Sequence, residues 1–285
     1  MRFLLIARCL LLMMLCCAGA GMRLHAQPLN KGRIAILGDS IAYAGHWANE
    51  VENTLRDDKK FAACEIVNFA VPSETVAGLS EYGHAGGRFP RPCLHERLSR
   101  ILKMYQPQLI LACYGMNDGL MQAFDKARFQ AYQEGNIRLK KAADAAKAEI
   151  VFITPPLFRG DSAEQAEYDA VLDKYAEWLV SKRKDGWKVI DIRPGLRKLI
   201  AREKAGNPGF RYSGDGVHPG PEGHHMIARE VLAGLVPEIG LAPEVAEKDH
   251  RPTPDTMKKH EKVRNEWLVT VSYTHLRAHE TLMNL

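Results

Sequence analysis

Four short clusters in the 285-residue chain carry side chains whose types and spacing suit acyl chemistry. Gly38-Asp39-Ser40 ends an apolar run and opens a helical pattern. A serine there has its Oγ at a helix N-terminus, where free N–H groups and the dipole favour developing negative charge. Asp215-Gly216-Val217-His218-Pro219 precedes another helical pattern. An acid three residues ahead of a His on one tight loop can reach the imidazole and fix its tautomer. Gly115-Met116-Asn117-Asp118 follows a third apolar run, and the Asn amide can donate to an oxyanion. Asn68-Phe69-Ala70-Val71-Pro72-Ser73-Glu74-Thr75 follows a second, and its turn can present backbone N–H groups. Each cluster alone has a plain alternative: an N-cap serine, a capping turn with a surface His, or an Asn-Asp turn. Together they supply a nucleophile, a base, an orienting acid and oxyanion donors.

The elements that must position these residues are legible as apolar runs alternating with helical patterns. The predicted strands are Arg33–Leu37, Glu65–Phe69, Gln108–Cys113, Glu149–Ile153 and Trp187–Ile190. Helices are expected over Ile41–Lys59, Leu94–Tyr105, Phe124–Ala148, Ala163–Lys184 and Pro221–Leu235. The strands are nearly continuous apolar runs, as expected when both faces of a sheet are buried. Five of them alternating with helices predict an α/β fold with a parallel sheet covered on both faces. The clusters then fall at the C-terminal ends of strands or before the last helix. In an open parallel sheet that edge binds ligands.

Gly-Asp-Ser near the start, Gly-x-Asn-Asp in the middle and Asp-x-x-His near the end resemble the SGNH (GDSL) hydrolase superfamily. The resemblance spans about Arg33 to Leu235, and its specificity lies in the order and spacing of the three blocks. It implies a flavodoxin-like three-layer α/β/α sandwich with a five-stranded parallel sheet, ester-hydrolysing activity, no metal and no cofactor. It also implies Ser40 as nucleophile, His218 as base and Asp215 as its orienter. The oxyanion hole would be Ser40 N–H, Ser73 N–H and the Asn117 amide. Many members have Gly where this chain has Ser73; a backbone N–H survives that change, and the role carries over.

Composition bounds the rest. Hydrophobic residues make up 46% and charged residues 26%, which excludes wholesale disorder. Residues 1–26 read as a signal peptide: Arg2, then the apolar Leu10–Leu15, then small residues at Ala18-Gly19-Ala20, with a second cleavage option after Ala26. Their removal lowers the net charge from +5 to +2, so a nucleic-acid surface is not indicated. The expected location is secreted or periplasmic, with no membrane span after signal removal. Cys64 and Cys113 lie in strand-like runs and are expected as buried thiols. The hydrolase domain is expected over residues 33–236. Residues 242–270, polar and Pro-containing, read as a loose extension. Residues 271–285 look foreign, resembling translated sequencing-adapter read-through, and read as a non-native tail.

Weaker candidates are weighed with these. His224-His225 with His218 suggests a metal site, but a solvent-facing helical pair fits the spacing better. Arg88, Arg91 and Arg97, near His84 and His95, read as a solvated basic loop. Tyr114 and Met116 suit either an acyl pocket or strand-end packing. The leading reading is a secreted serine esterase acting on O-acyl groups, acetyl among them, with a small-molecule or glycan ester as substrate. The alternatives are a lipolytic acyl hydrolase or thioesterase with the same triad, and a non-catalytic carbohydrate-binding module on the same fold.

Overall fold

The computed structural model describes residues 32–158 and 163–271. The signal-peptide reading lies outside them, as does the predicted tail apart from Val271. In chain order the elements are β1 (Arg33–Gly38), α1 (Ser40–Tyr43), α2 (His46–Asp57), β2 (Glu65–Asn68), α3 (Leu94–Met104), β3 (Leu109–Cys113) and α4 (Lys126–Ala145). There follow β4 (Glu149–Ile153), α5 (Ala163–Ser181), β5 (Lys188–Ile190), α6 (Arg193–Gly206), α7 (Pro221–Ile239), α8 (Pro243–Ala246) and α9 (Pro254–Val271).

The five strands form one parallel sheet in the order β2-β1-β3-β4-β5, the flavodoxin-like order. Ile34, Ala35, Ile36 and Leu37 of β1 are fully buried, as are Leu109, Ile110 and Leu111 of β3. This is why the central strands read as unbroken apolar runs rather than alternating ones. Helices α2 and α7 pack on each other, as do α6 and α7; α3 meets α4, and α4 meets α5. The sheet is thus enclosed between two helical layers.

Strand order reverses at β1, whose neighbours β2 and β3 are reached by crossovers in opposite directions. The crevice outside the carboxyl ends of β1, β2 and β3 is the topological switch point, where ligands bind in such folds. Gly38 at the end of β1 is required by close approach. A Cβ there would lie 2.8 Å from Ala42 Cβ and 3.1 Å from the Cys113 carbonyl oxygen. Gly115, just past β3, has φ +132°, a conformation closed to most side chains.

Several elements differ from the sequence expectations: the helix expected over Ile41–Lys59 is two, α1 and α2, and α8 lies in the expected extension. Helix α6 falls in a stretch without a predicted element. The supposed loose extension is not loose: Pro254–Val271 is a helix, α9, that packs against the edge strand β2, α2 of one layer and α3 of the other. Leu268 and Val271, the last described residue, are buried in it. Trp267 meets Phe69 and Tyr105 edge-on, with ring centroids 5.9 and 5.1 Å apart. The Val271 carbonyl accepts from Arg100 Nε at 2.6 Å. An edge strand exposes unpaired backbone and apolar surface unless it is covered; α9 covers it. Cys64 and Cys113 are buried, as expected.

Candidate active site

Ser40 is the first residue of α1, directly after β1. The cap is Asp39, whose Oδ1 accepts from Ile41 N at 3.0 Å. Burial pushes the Asp39 carboxyl up to about 6, against that bond and the His218 ring nearby. Capping by Asp39 leaves the Ser40 hydroxyl free to face the crevice.

His218 arrives from the far end of the chain on the loop before α7. That loop is closed by a bridge between Ser213 and Pro219. His218 Nε2 lies 2.9 Å from Ser40 Oγ, and His218 Nδ1 lies 2.7 Å from Asp215 Oδ2. The second Asp215 oxygen accepts from His218 N at 2.7 Å, Val217 N at 2.8 Å and Ser213 Oγ at 3.1 Å. Burial alone would raise the Asp215 carboxyl, but the bonds from His218 and Val217 outweigh it and hold the group well below its ordinary range. An ionised acid on Nδ1 leaves Nε2 as the acceptor facing the serine hydroxyl.

The two remaining clusters meet beside the serine. Ser73 lies in the turn after β2 with φ +62°, the left-handed region. A glycine adopts that conformation freely; the turn places serine there without losing its N–H. Asn117 is buried after β3. Its Oδ1 accepts from Arg91 Nη1 at 3.0 Å, and its Nδ2 donates to the Glu74 carbonyl at 3.3 Å. The neighbouring Asp118 accepts from Ala77 N at 2.7 Å, tying the β3 loop to the β2 loop. Burial pushes its carboxyl up to about 7.

Sequence reasoning gave Glu74 no role, yet it anchors this corner. Its fully buried carboxylate takes Arg97 Nε and Nη2, both at 2.6 Å, and the Tyr114 hydroxyl at 2.6 Å. The basic stretch read as a solvated face divides. Arg91 and Arg97 are buried, and only Arg88 of the three is exposed. Tyr114 and Met116 pack inside rather than line the cleft. His224 is not solvent-facing either. It is buried against His46 at 5.1 Å between ring centroids, and burial pushes its imidazole down to about 3. His225 is held by Glu50 at 2.8 Å. Glu50, His225 and Asp249 bring three ligand-type atoms within 4.8 Å of one another. The Asp249 carboxylate is engaged by the Arg251 N–H at 3.0 Å, so the cluster reads as a tie between α2, α7 and the chain that follows.

Ser40, Ser73, Asn117 and His218 open on one cleft of about 580 Å³. Its outer wall comes from α9, through Met257, His260, Glu261 and Arg264. Arg264 is fixed there by the Tyr43 carbonyl at 2.6 Å and lies 3.8 Å from the Tyr43 ring centroid. The sequence expectation of a loose extension hid this wall. The arrangement presents a hydroxyl with a base, an acid behind the base, and N–H groups alongside, which suits attack on a carbonyl carbon and stabilisation of the resulting oxyanion.

The sequence model of the GDSL-like lipase/acylhydrolase family matches residues 36–226. The chain belongs to that family and is a carboxylic ester hydrolase. Among solved structures it is similar to an acetylxylan esterase from Geobacillus stearothermophilus, at 17% identity and TM-score 0.53, over 73% of this chain and 96% of that one. It is also similar to an α/β hydrolase from the metagenome of Lake Arreo, Spain, at 17% identity and TM-score 0.54, over 71% and 94%. A gut microbial diltiazem-metabolizing enzyme matches at 17% identity and TM-score 0.55, over 73% of this chain and 48% of that one. At these identities the likeness is one of fold. No curated protein sequence matches the chain.

Proposed function

We propose that this chain is an exported serine esterase that removes acetyl or other short O-acyl groups from carbohydrate. The observation that carries the catalytic part is the unbroken chain of contacts from Ser40 Oγ through His218 to Asp215. His218 Nε2 takes the Ser40 proton as Oγ attacks the ester carbonyl. The oxyanion is held by Ser40 N–H, Ser73 N–H and the Asn117 amide. Collapse of the tetrahedral intermediate breaks the bond to the alcohol oxygen, which leaves with the proton from His218. Water then attacks the acyl-enzyme, giving its proton to His218, and the acid departs as that proton returns to Ser40 Oγ. Each oxyanion donor contributes roughly 3 kcal/mol.

The substrate class is supported by the cleft. On its α9 wall the exposed Glu261 carboxylate can accept from a hydroxyl-rich alcohol, while His260 and Arg264 are held by Glu52 and the Tyr43 carbonyl. One structural relative is an acetylxylan esterase. Export rests on the pattern of residues 1–26. Among the described residues no helix is long and apolar enough to cross a membrane.

The test is a hydrolysis screen of the purified mature chain against acetylated oligosaccharides and an acyl chain-length series of simple esters. Release of acetate from the glycans, with rates falling beyond short acyl chains, is expected. A preference for long acyl chains, or for thioesters, would replace this reading with a lipolytic or thioesterase one.

A further inference from the structure

The Asn117 amide has two ends of similar shape, and only one can serve an oxyanion. Its nitrogen donates; its oxygen would repel. What decides the orientation is Arg91, which comes from the loop between β2 and α3 and is 9% exposed. A guanidinium carries donors and no acceptor. The amide end facing it at 3.0 Å must therefore be Oδ1. That turns Nδ2 toward Glu74, whose carbonyl takes one hydrogen at 3.3 Å. An amide nitrogen carries two, so the second remains to be offered elsewhere.

Arg91 is itself held from three sides. Its Nε and Nη2 donate to the two Glu81 oxygens at 2.6 and 2.8 Å. Such a fork fixes the plane of the guanidinium as well as its position. Its backbone N–H donates to Ser80 Oγ at 2.9 Å. Glu81 in turn is steadied by His84 Nδ1 at 3.1 Å. The remaining nitrogen, Nη1, donates to Asn117.

We propose that Arg91 is a positioning residue for hydrolysis: it locks the Asn117 amide with Nδ2 toward the oxyanion hole. This rests on the reading of Asn117 as an oxyanion donor. Two physical effects follow from one contact. A rotated amide, which would present a lone pair to the oxyanion, is excluded by loss of a charge-assisted bond. The cation on Oδ1 also draws electron density from the amide and strengthens Nδ2–H as a donor, since linked hydrogen bonds polarise one another. Arg91 also lines the cleft, but Glu81 and Asn117 engage all three of its side-chain nitrogens, so its effect on hydrolysis runs through Asn117.

The experiment compares Arg91→Met, Arg91→Lys, Asn117→Ala and the Arg91→Met/Asn117→Ala double variant in the full chain. Turnover of 4-nitrophenyl acetate is expressed per active site counted with a phosphonate titrant, so misfolded protein does not enter kcat. Inhibition by a trifluoromethyl ketone, which forms a tetrahedral adduct, is measured beside it. Arg91→Met should lower kcat roughly 10- to 100-fold, the loss expected from a misplaced catalytic group, with KM changed less than about threefold. Ketone affinity should fall by a similar factor, which a merely structural role would not cause. The double variant should be hardly slower than Asn117→Ala, because residues acting as one unit are non-additive. Arg91→Lys, which keeps the charge but cannot hold both Glu81 and Asn117, should also lose kcat; it serves if Arg91→Met does not fold. Full kcat in Arg91→Lys, multiplied losses in the double variant, or a loss confined to KM would overturn the proposal. Full kcat in Asn117→Ala would instead overturn the reading of Asn117 on which it rests.

Discussion

Ser73 is the residue whose conformation most tests the oxyanion hole, because it holds a left-handed φ of +62° that favours glycine. Its proposed role uses the backbone N–H alone, so the side chain is dispensable. Ser73→Gly should keep turnover within about twofold. Relief of about 1–2 kcal/mol of left-handed strain is offset by about 0.5–1 kcal/mol of added unfolded-state entropy. Urea denaturation should therefore show the variant no less stable than the parent. Ser73→Val, β-branched in a conformation closed to it, should lose both activity and stability. A sharp loss of turnover in Ser73→Gly would show that the hydroxyl takes part. At this scale the sequence was informative where a residue type names its chemistry: Ser40, Asn117, Asp215 and His218 stand where the blocks place them, and geometry brings them together. It was silent on Glu74 and misread Arg91. Nothing in one residue's identity tells whether a charge meets water or a buried partner; that depends on segments 23 and 26 residues away along the chain.

Among the elements, the strands were legible and the last helix was not. A strand buried on both faces must be apolar throughout, so β1 and β3 announce themselves. Helix α9 is charged, follows Pro252 and opens on Pro254, and buries a narrow stripe holding Arg264, Leu268 and Val271. Pro254 is the first residue of the helix, where its missing N–H costs nothing, rather than a sign of a loose linker. Helix α6 hid in the same way, with Pro194 in its first turn. Because α9 both covers β2 and walls the cleft, its packing and its specificity should fail together. Trp267→Ala, which removes the ring lying on Phe69 and Tyr105, should cost about 2–3 kcal/mol. It should also lower kcat/KM more for a bulky glycosyl acetate than for methyl acetate. Equilibrium denaturation and the two rate ratios check this; unchanged stability would show that α9 is not held by these contacts.

For the molecule as a whole, buried carboxyls set a pH dependence opposite to the usual one. Asp118, buried beside Ala77 N and repelled by Asp39, has its pKa raised from 3.8 to about 7. The folded chain therefore keeps a proton that the unfolded chain has lost. Stability from this group falls as pH rises from about 4 to about 7 and then levels. Asp118→Asn removes the effect. Whatever its constant cost, the variant should gain on the parent by roughly 2–4 kcal/mol between pH 4.5 and pH 8, at about 1.4 kcal/mol per unit. Denaturation curves at the two pH values measure this, and parallel losses would show that Asp118 is ionised in the fold at both. Asp215 acts with the other sign: its depressed pKa stabilises above the ordinary carboxylate range and is lost in acid. Half-exposed as its contacts are, that contribution is small.

Whether Ser40 alone is the nucleophile is read by intact-mass measurement after reaction with a fluorophosphonate. One adduct per chain is expected, located on Ser40 by peptide mapping, with esterase activity falling in proportion to labelling and no labelling of Ser40→Ala. Full esterase turnover in Ser40→Ala, or an adduct on another residue that tracks the loss of activity, would contradict it.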